Sequence, residues 1–311
     1  MGQHICVVFT FAFHSLYTIY PMRAVLVVNP VAGRGRGIRA AAEAAEVLRG
    51  HGWSVEARQT CGPGHATELA SQASADVNVV VSVGGDGTLS ETLNGLLTSK
   101  TPCGLIPCGT GNDFARFVGI IPSAQAAAEQ IAHGSAWPID IASVNDGQKR
   151  FVNVLGIGFD AAVATRINRR RRVSAGLWAY MPAILSEVAC RSHLHATVEV
   201  DGRLFEDDWL LVAVANGSAY GSGFRIAPEA CCDDGLLDVI LVRGSGRIEI
   251  LRNLWLARQG KHLAHPKVIM VRGRSIRIRT QVSAPVMTDG DVGLCTPIQI
   301  EAVPGAALLW K

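Results

Sequence analysis

Three glycine-rich turns and a scatter of aspartates are the residues of this 311-residue chain whose types and spacing could do chemistry. The turns are Asn29-Pro30-Val31-Ala32-Gly33-Arg34-Gly35-Arg36-Gly37, Gly84-Gly85-Asp86-Gly87-Thr88 and Gly109-Thr110-Gly111-Asn112-Asp113. Glycine lets backbone N–H groups approach an anion with no side chain in the way. Each turn follows an apolar run and leads into a helical stretch, whose free N–H groups and dipole favour phosphate. One such turn says little. Three at one sheet edge point to a polyphosphate.

The turns are not a P-loop, because no G-x-x-x-x-G-K-[ST] occurs and no Lys lies in them. Nor do they fit a dinucleotide fingerprint. Gly33-x-Gly35-x-Gly37 has the wrong third spacing, and Arg58-Gln59-Thr60 ends the second strand without a ribose-binding acid. Phosphate charge must then be met by backbone N–H groups plus a metal. Asp86 and Asp113 lie inside the turns, where a carboxylate beside phosphate makes sense chiefly through Mg²⁺. A turn residue bonding its own loop is the plainer reading of Asp86 alone. Thr88 with Glu91 three residues on fits a capping box.

The elements that position these residues follow from periodicity. Strands are expected at Ala24–Val28, Trp53–Ala57, Val77–Val83 and Gly104–Pro107. They alternate with helices at Ile38–Arg49, His65–Ala73, Leu89–Leu97 and Ser123–His133. Alternation of this kind implies a doubly wound parallel sheet with ligands at the strands' carboxyl ends. After Ile139 the pattern becomes strand-rich. His195–Val200, an Asp201-Gly202 turn and Trp209–Ala215 form a hairpin, and Leu236–Val242, Lys267–Arg272, Ser275–Arg279 and Ile298–Val303 continue it. Helical patches near 161–190 and 246–259 interrupt the strands. The expected fold is an α/β nucleotide-binding domain over 22–138, then an antiparallel β-sandwich-like domain over 139–311 that takes the substrate. The last residues can pack back on the first domain, and the active site falls in the cleft between the two.

With these residues in order, the chain resembles the diacylglycerol kinase catalytic domain family of lipid kinases, bacterial diacylglycerol and phosphatidylglycerol kinases and sphingosine kinases among them. The resemblance rests on Asn29-Pro30…Gly33-Arg34-Gly35, Val83-Gly84-Gly85-Asp86-Gly87-Thr88 and Pro107-x-Gly109-Thr110-Gly111-Asn112-Asp113-Phe114-Ala115. Asn153…Gly158-Phe159-Asp160, Asp233-Asp234-Gly235-Leu236-Leu237-Asp238 and Asp289-Gly290-Asp291 follow in the family's order. The G-G-D-G-T loop is shared with NAD kinases and phosphofructokinases; the later stretches raise the specificity.

The resemblance implies ATP at Thr60, Gly84, Gly85, Asp86, Gly87, Thr88 and Thr110, with Asn29 nearby and Gly111, Asn112 and Asp113 in the third turn. It implies Mg²⁺ on the Asp234 side chain and the carbonyls of Cys231 and Leu236, a stretch that otherwise reads as an ordinary turn. The family's general base closes a D-G-E motif; here that acid is Asp291, a shorter stem with the same chemistry. A tight-turn aspartate is the alternative for Asp291. Asp86 is the second catalytic candidate.

Composition bounds the rest. At 49% hydrophobic and 18% charged the chain has ample core, and a net charge of +3 is too small for a nucleic-acid coat. Residues 1–140 hold 8 basic and 10 acidic side chains, residues 141–311 hold 21 and 16. Arg169, Arg170, Arg171 and Arg172, beside Leu177-Trp178-Ala179-Tyr180-Met181, suit an anionic bilayer surface; a solvated loop is the alternative. Eight scattered cysteines with no C-x-x-C fit reduced thiols in the cytoplasm. Residues 1–21 lack a basic n-region and read as an extension before Met22. His193-x-His195, His262-x-x-His265 and Gly217-Ser218-Ala219-Tyr220-Gly221 match no metal or nucleophile motif. The expectation is a cytoplasmic, peripherally membrane-associated lipid kinase using ATP and Mg²⁺, with a homodimer left open. An NAD kinase-like phosphotransferase and a catalytically weakened nucleotide- or lipid-binding regulator are the rival readings.

Overall fold

The structure, a computed structural model, describes residues 21–168, 177–190, 193–244 and 246–311. Buried apolar runs make the parallel strands β1 (Arg23–Val28), β2 (Ser54–Gln59), β3 (Val79–Gly84) and β4 (Cys103–Pro107). Between and after them run α1 (Ala32–Gly35), α2 (Gly37–Gly50), α3 (His65–Ala73), α4 (Asp86–Leu96), α5 (Asp113–Phe117) and α6 (Ala124–Ala132). The strand order is β4-β3-β1-β2, all parallel. α2 packs on α6 and α3 on α4, and Leu26, Leu48, Val80 and Leu93 close the core.

The second half adds β5 (Ala136–Val144), β6 (Lys149–Phe151), β7 (Val154–Gly158), α7 (Phe159–Asn168), α8 (Leu177–Cys190), β8 (Leu194–Val200) and β9 (Arg203–Ala215). It continues with β10 (Leu237–Arg243), α9 (Arg247–Gln259), β11 (Val268–Gly273), β12 (Ser275–Thr280), β13 (Pro285–Thr288), β14 (Asp291–Cys295) and β15 (Ile298–Trp310). Apart from one parallel contact at the chain end, these strands pair antiparallel, as the β-sandwich-like reading requires. Asp201 and Gly202 both take positive φ, 46° and 84°, which closes the β8–β9 hairpin as its Asp-Gly pair demands. β15 runs antiparallel to β12 and β5, then reaches the first sheet, where Leu309 lies opposite Cys103 of β4. One apolar cluster fills the sandwich around Phe151, Trp209 and Ile276. Another lies under α7, α8 and α9, around Phe159, Ile184 and Ile250.

Several details depart from expectation. Residues 136–158 hold three strands that periodicity did not reveal, and β13 and β14 were equally unread. The capping box does not form. Helix α4 begins at Asp86 with Gly85 as its cap, and the Glu91 carboxylate instead accepts the N–H of Ala66 at the start of α3. The Arg169–Arg172 run and residues 1–20 lie outside the described residues. No helix among the described residues is long and apolar enough to cross a membrane.

Candidate active site

The three turns meet at the carboxyl ends of β1, β3 and β4 and are built against one another. The Gly84 carbonyl accepts N–H groups from Cys108 and Gly109, at 2.9 and 3.2 Å, and the Asn29 N–H donates to the Val83 carbonyl. A Cβ on Gly109 would overlap the Gly85 backbone, so glycine there is a packing requirement. A Cβ on Gly87 would meet nothing within 4 Å, and this glycine is exposed at the turn's open face. Asn29 ties the first turn to the second, its Nδ2 donating to Thr88 Oγ1 at 3.0 Å. Thr60 is buried, its N–H donating to the Val28 carbonyl. Sequence reasoning sought a lysine here and passed over Arg36, whose Nε donates to the Gly33 carbonyl and holds a guanidinium at the first turn.

The aspartates divide by what they bind. Asp86 accepts the Asp113 and Phe114 N–H groups, one on each carboxylate oxygen, both at 3.1 Å, so it caps α5 from a neighbouring turn. Burial first, then the charge of Asp113, pushes its pKa up. Asp113 pairs with Arg116 and accepts the Ser222 N–H at 2.8 Å, stitching the third turn to the second half of the chain. Asp289 is half-buried, with Oδ2 accepting the Val152 N–H at 2.9 Å and Oδ1 those of Asn153 and Val154 at 3.0 and 3.1 Å. Burial raises its pKa despite those donors. Asp289 and Gly290 both have positive φ, 48° and 94°, and turn β13 into β14. Asp291 follows the turn with its side chain 81% exposed and one oxygen 3.8 Å from Lys149 Nζ.

A cavity of about 270 Å³ opens from this acidic edge into the second half. Asp86, Thr110, Gly111, Asp113, Asp289 and Gly290 line one part of it; the Asp291 side chain does not. The rest of its wall is mostly apolar, with Phe159, Val163, Ile184, Leu210 and Leu254 contributed by α7, α8, β9 and α9, and Phe224 by the segment after β9. Asp160 stands in the wall, accepting from Ala161 N–H at 2.8 Å and Tyr220 OH at 3.3 Å, and burial pushes its pKa up to about 7. Asp160 closes the Gly158-Phe159-Asp160 stretch, whose sequence alone points to no role for it.

The Cys231–Leu236 loop is a separate construction. Asp234 Oδ1 accepts the Leu236 N–H at 2.9 Å, and Gly235, at φ 73°, donates its N–H to buried Asp140 at 2.7 Å. The other Asp140 oxygen accepts the Gly305 N–H at 2.8 Å, so one carboxylate pins this loop to β15. Nothing local in the sequence marks Asp140, whose partners lie 95 and 165 residues away.

Comparison with known proteins decides the family. Residues 23–144 match the diacylglycerol kinase catalytic domain, and residues 153–310 match the YegS C-terminal NAD kinase beta sandwich-like domain. A diacylglycerol kinase of Mycobacterium tuberculosis (strain CDC 1551 / Oshkosh) is 32% identical over 285 residues, 89% of this chain and 91% of that one. The chain belongs to the diacylglycerol kinase family. It is a lipid kinase. A diacylglycerol kinase of Bacillus subtilis (strain 168) is 28% identical over 279 residues, covering 88% of this kinase and 91% of its own length. A crystal structure of a diacylglycerol kinase from Bacillus anthracis str. Sterne superposes with a TM-score of 0.72 at 27% identity, covering 92% of this kinase and 96% of that chain.

Proposed function

We propose that this kinase transfers the γ-phosphate of ATP to the hydroxyl of a lipid such as diacylglycerol, phosphatidylglycerol or a sphingoid base, with Mg²⁺. The observation that carries the reading is the apolar cavity that ends on the acidic edge of the glycine turns. A lipid whose chains lie among Phe159, Val163 and Leu254 brings its polar end to Asp86, Asp113 and Asp289. An apolar wall of this kind suits acyl chains and not a dinucleotide, which favours lipid over the NAD kinase reading.

ATP phosphates would lie on the turns of Gly84–Thr88 and Thr110–Asp113, with Asn29 and Thr60 beside them. The bare face of Gly87 supports this, since among the described residues no atom lies within 4 Å of a Cβ placed there. The loop at Cys231, Asp234 and Leu236 offers one carboxylate and two carbonyls, an all-oxygen set of the kind Mg²⁺ takes. A metal held there would be structural; Mg²⁺ that offsets the charge of phosphate oxygens would instead be organised by Asp86 and Asp113 at the turns. The proton of the lipid hydroxyl would pass to Asp291. Asp289 has its oxygens committed to three backbone amides and fixes the hairpin, whereas Asp291, at the first residue after the turn, keeps an oxygen to accept it. Transfer itself rests on positioning and charge stabilisation.

Contact with an anionic bilayer is part of the proposal. Helix α9 turns Ile250 and Leu254 to the cavity and leaves Ile248 and Trp255 85% and 64% exposed on its outer side. Exposed Arg247, Arg252 and Arg258 flank them. Incubation with γ-labelled ATP, Mg²⁺ and a panel of diacylglycerol, phosphatidylglycerol, sphingoid base and NAD tests the reading. Label in an extracted lipid is expected; label in NADP alone overturns it.

A further inference from the structure

Away from the glycine turns, helices α2 and α6 pack on one another and end side by side. Each ends on a histidine. His51 directly follows α2 and His133 directly follows α6, and their rings meet edge to face with centroids 4.8 Å apart. Glu129, one turn back on α6, joins them, its Oε2 lying 2.9 Å from His51 Nε2. All three side chains are exposed, and one ligand atom of each lies within 4.8 Å of the others. Arg49, in the last turn of α2, directs its guanidinium to the Val55 carbonyl. The 14 residues of α2, at about 1.5 Å each, put His51 about 21 Å from the first glycine turn.

Local bonds set the state of both rings. His133 Nδ1 lies 3.0 Å from the Glu129 carbonyl, which a longer helix would have bonded to the His133 N–H; that N–H donates to the Ile131 carbonyl instead. A carbonyl only accepts, so Nδ1 carries the proton and Nε2 the lone pair, the state in which a carbonyl holds a ligating histidine from behind. His51 Nε2 faces a carboxylate, which a metal would share with it once that nitrogen gives up its proton. Helix C-termini are the negative ends of their macrodipoles, and two of them converge here on one carboxylate. The cluster favours a cation.

We propose that His51, Glu129 and His133 bind Zn²⁺ or a transition metal of similar softness, and that the bound ion ties the ends of α2 and α6 together. Two imidazole nitrogens with one carboxylate oxygen suit such a metal, whereas Mg²⁺ takes oxygen ligands. Zinc ligands sit at about 2.0–2.2 Å, hence about 3.4 Å from one another. His51 and Glu129 are already that close, and the exposed His133 ring turns in to complete the set. The tie reaches further than two helices. Trp310 Nε1, near the end of β15, donates to the Ile131 carbonyl at 2.8 Å, two residues before His133. None of this depends on the lipid kinase reading, and the site is separate from any Mg²⁺ at the turns.

The test titrates the metal-free full chain with Zn²⁺ by calorimetry, thiols kept reduced and Mg²⁺ in excess, beside His51→Gln, His133→Gln and Glu129→Gln. The wild type is expected to hold one Zn²⁺ roughly tenfold or more tightly than each variant does. Zn²⁺ should also raise the wild-type melting temperature more than that of any variant. With ¹⁵N-labelled histidine, the ring nitrogens of two of the nine histidines should shift together as this ion binds. Metal-free melts show that the variants fold, which the exposure of all three side chains leads one to expect. Zinc bound equally by all four proteins, or by none, overturns the site. Variants that lower the metal-free melting temperature yet respond to Zn²⁺ as the wild type does overturn it too, and reduce the trio to an ion pair and a helix cap. Displacement of the ion by the excess Mg²⁺ overturns the metal class.

Discussion

The division of labour between Asp289 and Asp291 can be put to a quantitative test. Asp289 is half-buried and accepts three backbone N–H groups at 2.9–3.1 Å; Asp291 is 81% exposed, with one oxygen 3.8 Å from Lys149 Nζ. Asp289→Ala strips the acceptor from three amides at the start of β7. At about 1–3 kcal/mol for each buried group left bare, and allowing for partial relaxation, the loss is about 3–5 kcal/mol. With a urea m-value of about 1–3 kcal/mol/M, the unfolding midpoint should fall by roughly 1–5 M. Asp289→Asn tolerates the positive φ and keeps one acceptor, so its midpoint should lie between the two. Asp291→Asn should leave the midpoint where it is, because its carboxylate holds nothing together. Its kcat should nonetheless fall by about 10²–10⁴, the usual contribution of a positioned base. Urea melts followed by fluorescence, with kcat from label transfer at saturating lipid, read both quantities on the same preparations. Unchanged stability in Asp289→Ala, or full activity in Asp291→Asn, would refute the assignment.

Further expectations follow from the same site. Leu254→Trp narrows the cavity and should raise KM for a long-chain lipid at least tenfold while a short-chain analogue is affected less. Gly87→Ala, facing open space, should melt like the wild type yet show a raised KM for ATP, whereas Gly109→Ala, pressed on Gly85, should lower the melting temperature itself. Asp160, unfolded near pKa 3.8 and folded at about 7, binds the extra proton in the folded state between those values. Stability from this group therefore falls as pH rises from about 4 to about 7 and is flat above; Asp160→Asn should flatten that slope in melts taken across pH 4–8. Ile248→Ser with Trp255→Ser should weaken binding to phosphatidylglycerol vesicles by at least tenfold in sedimentation, and Arg252→Gln should reduce its salt dependence.

The first half of the chain was readable because its strands are continuous apolar runs and its turns carry glycine at every approach. His65–Ala73 and the Ser123 cap appear where periodicity put them, with Ser123 Oγ accepting the Ala126 N–H. The strands that escaped notice are those without such punctuation. β5 carries Pro138, and β13 and β14 are four and five residues long. Asp289-Gly290 looked like part of a catalytic motif, and its positive φ values make it a hairpin turn as well. The site's chemistry-bearing residues were found where they cluster in a turn. Roles defined by distant partners were not: Asp140 bonds across 165 residues, and Asp289 anchors amides up to 137 residues away. Glu91 is the converse, a local pattern overridden by a partner 25 residues away.

Crosslinking by a diacylglycerol with a photoreactive group midway along one chain tests most directly whether lipid chains occupy the cavity. The adduct, located by peptide mass spectrometry, is expected on the segments bearing Val163, Leu210 or Leu254 and should be suppressed by excess unlabelled lipid. Competed adducts confined to other parts of the chain would contradict the account.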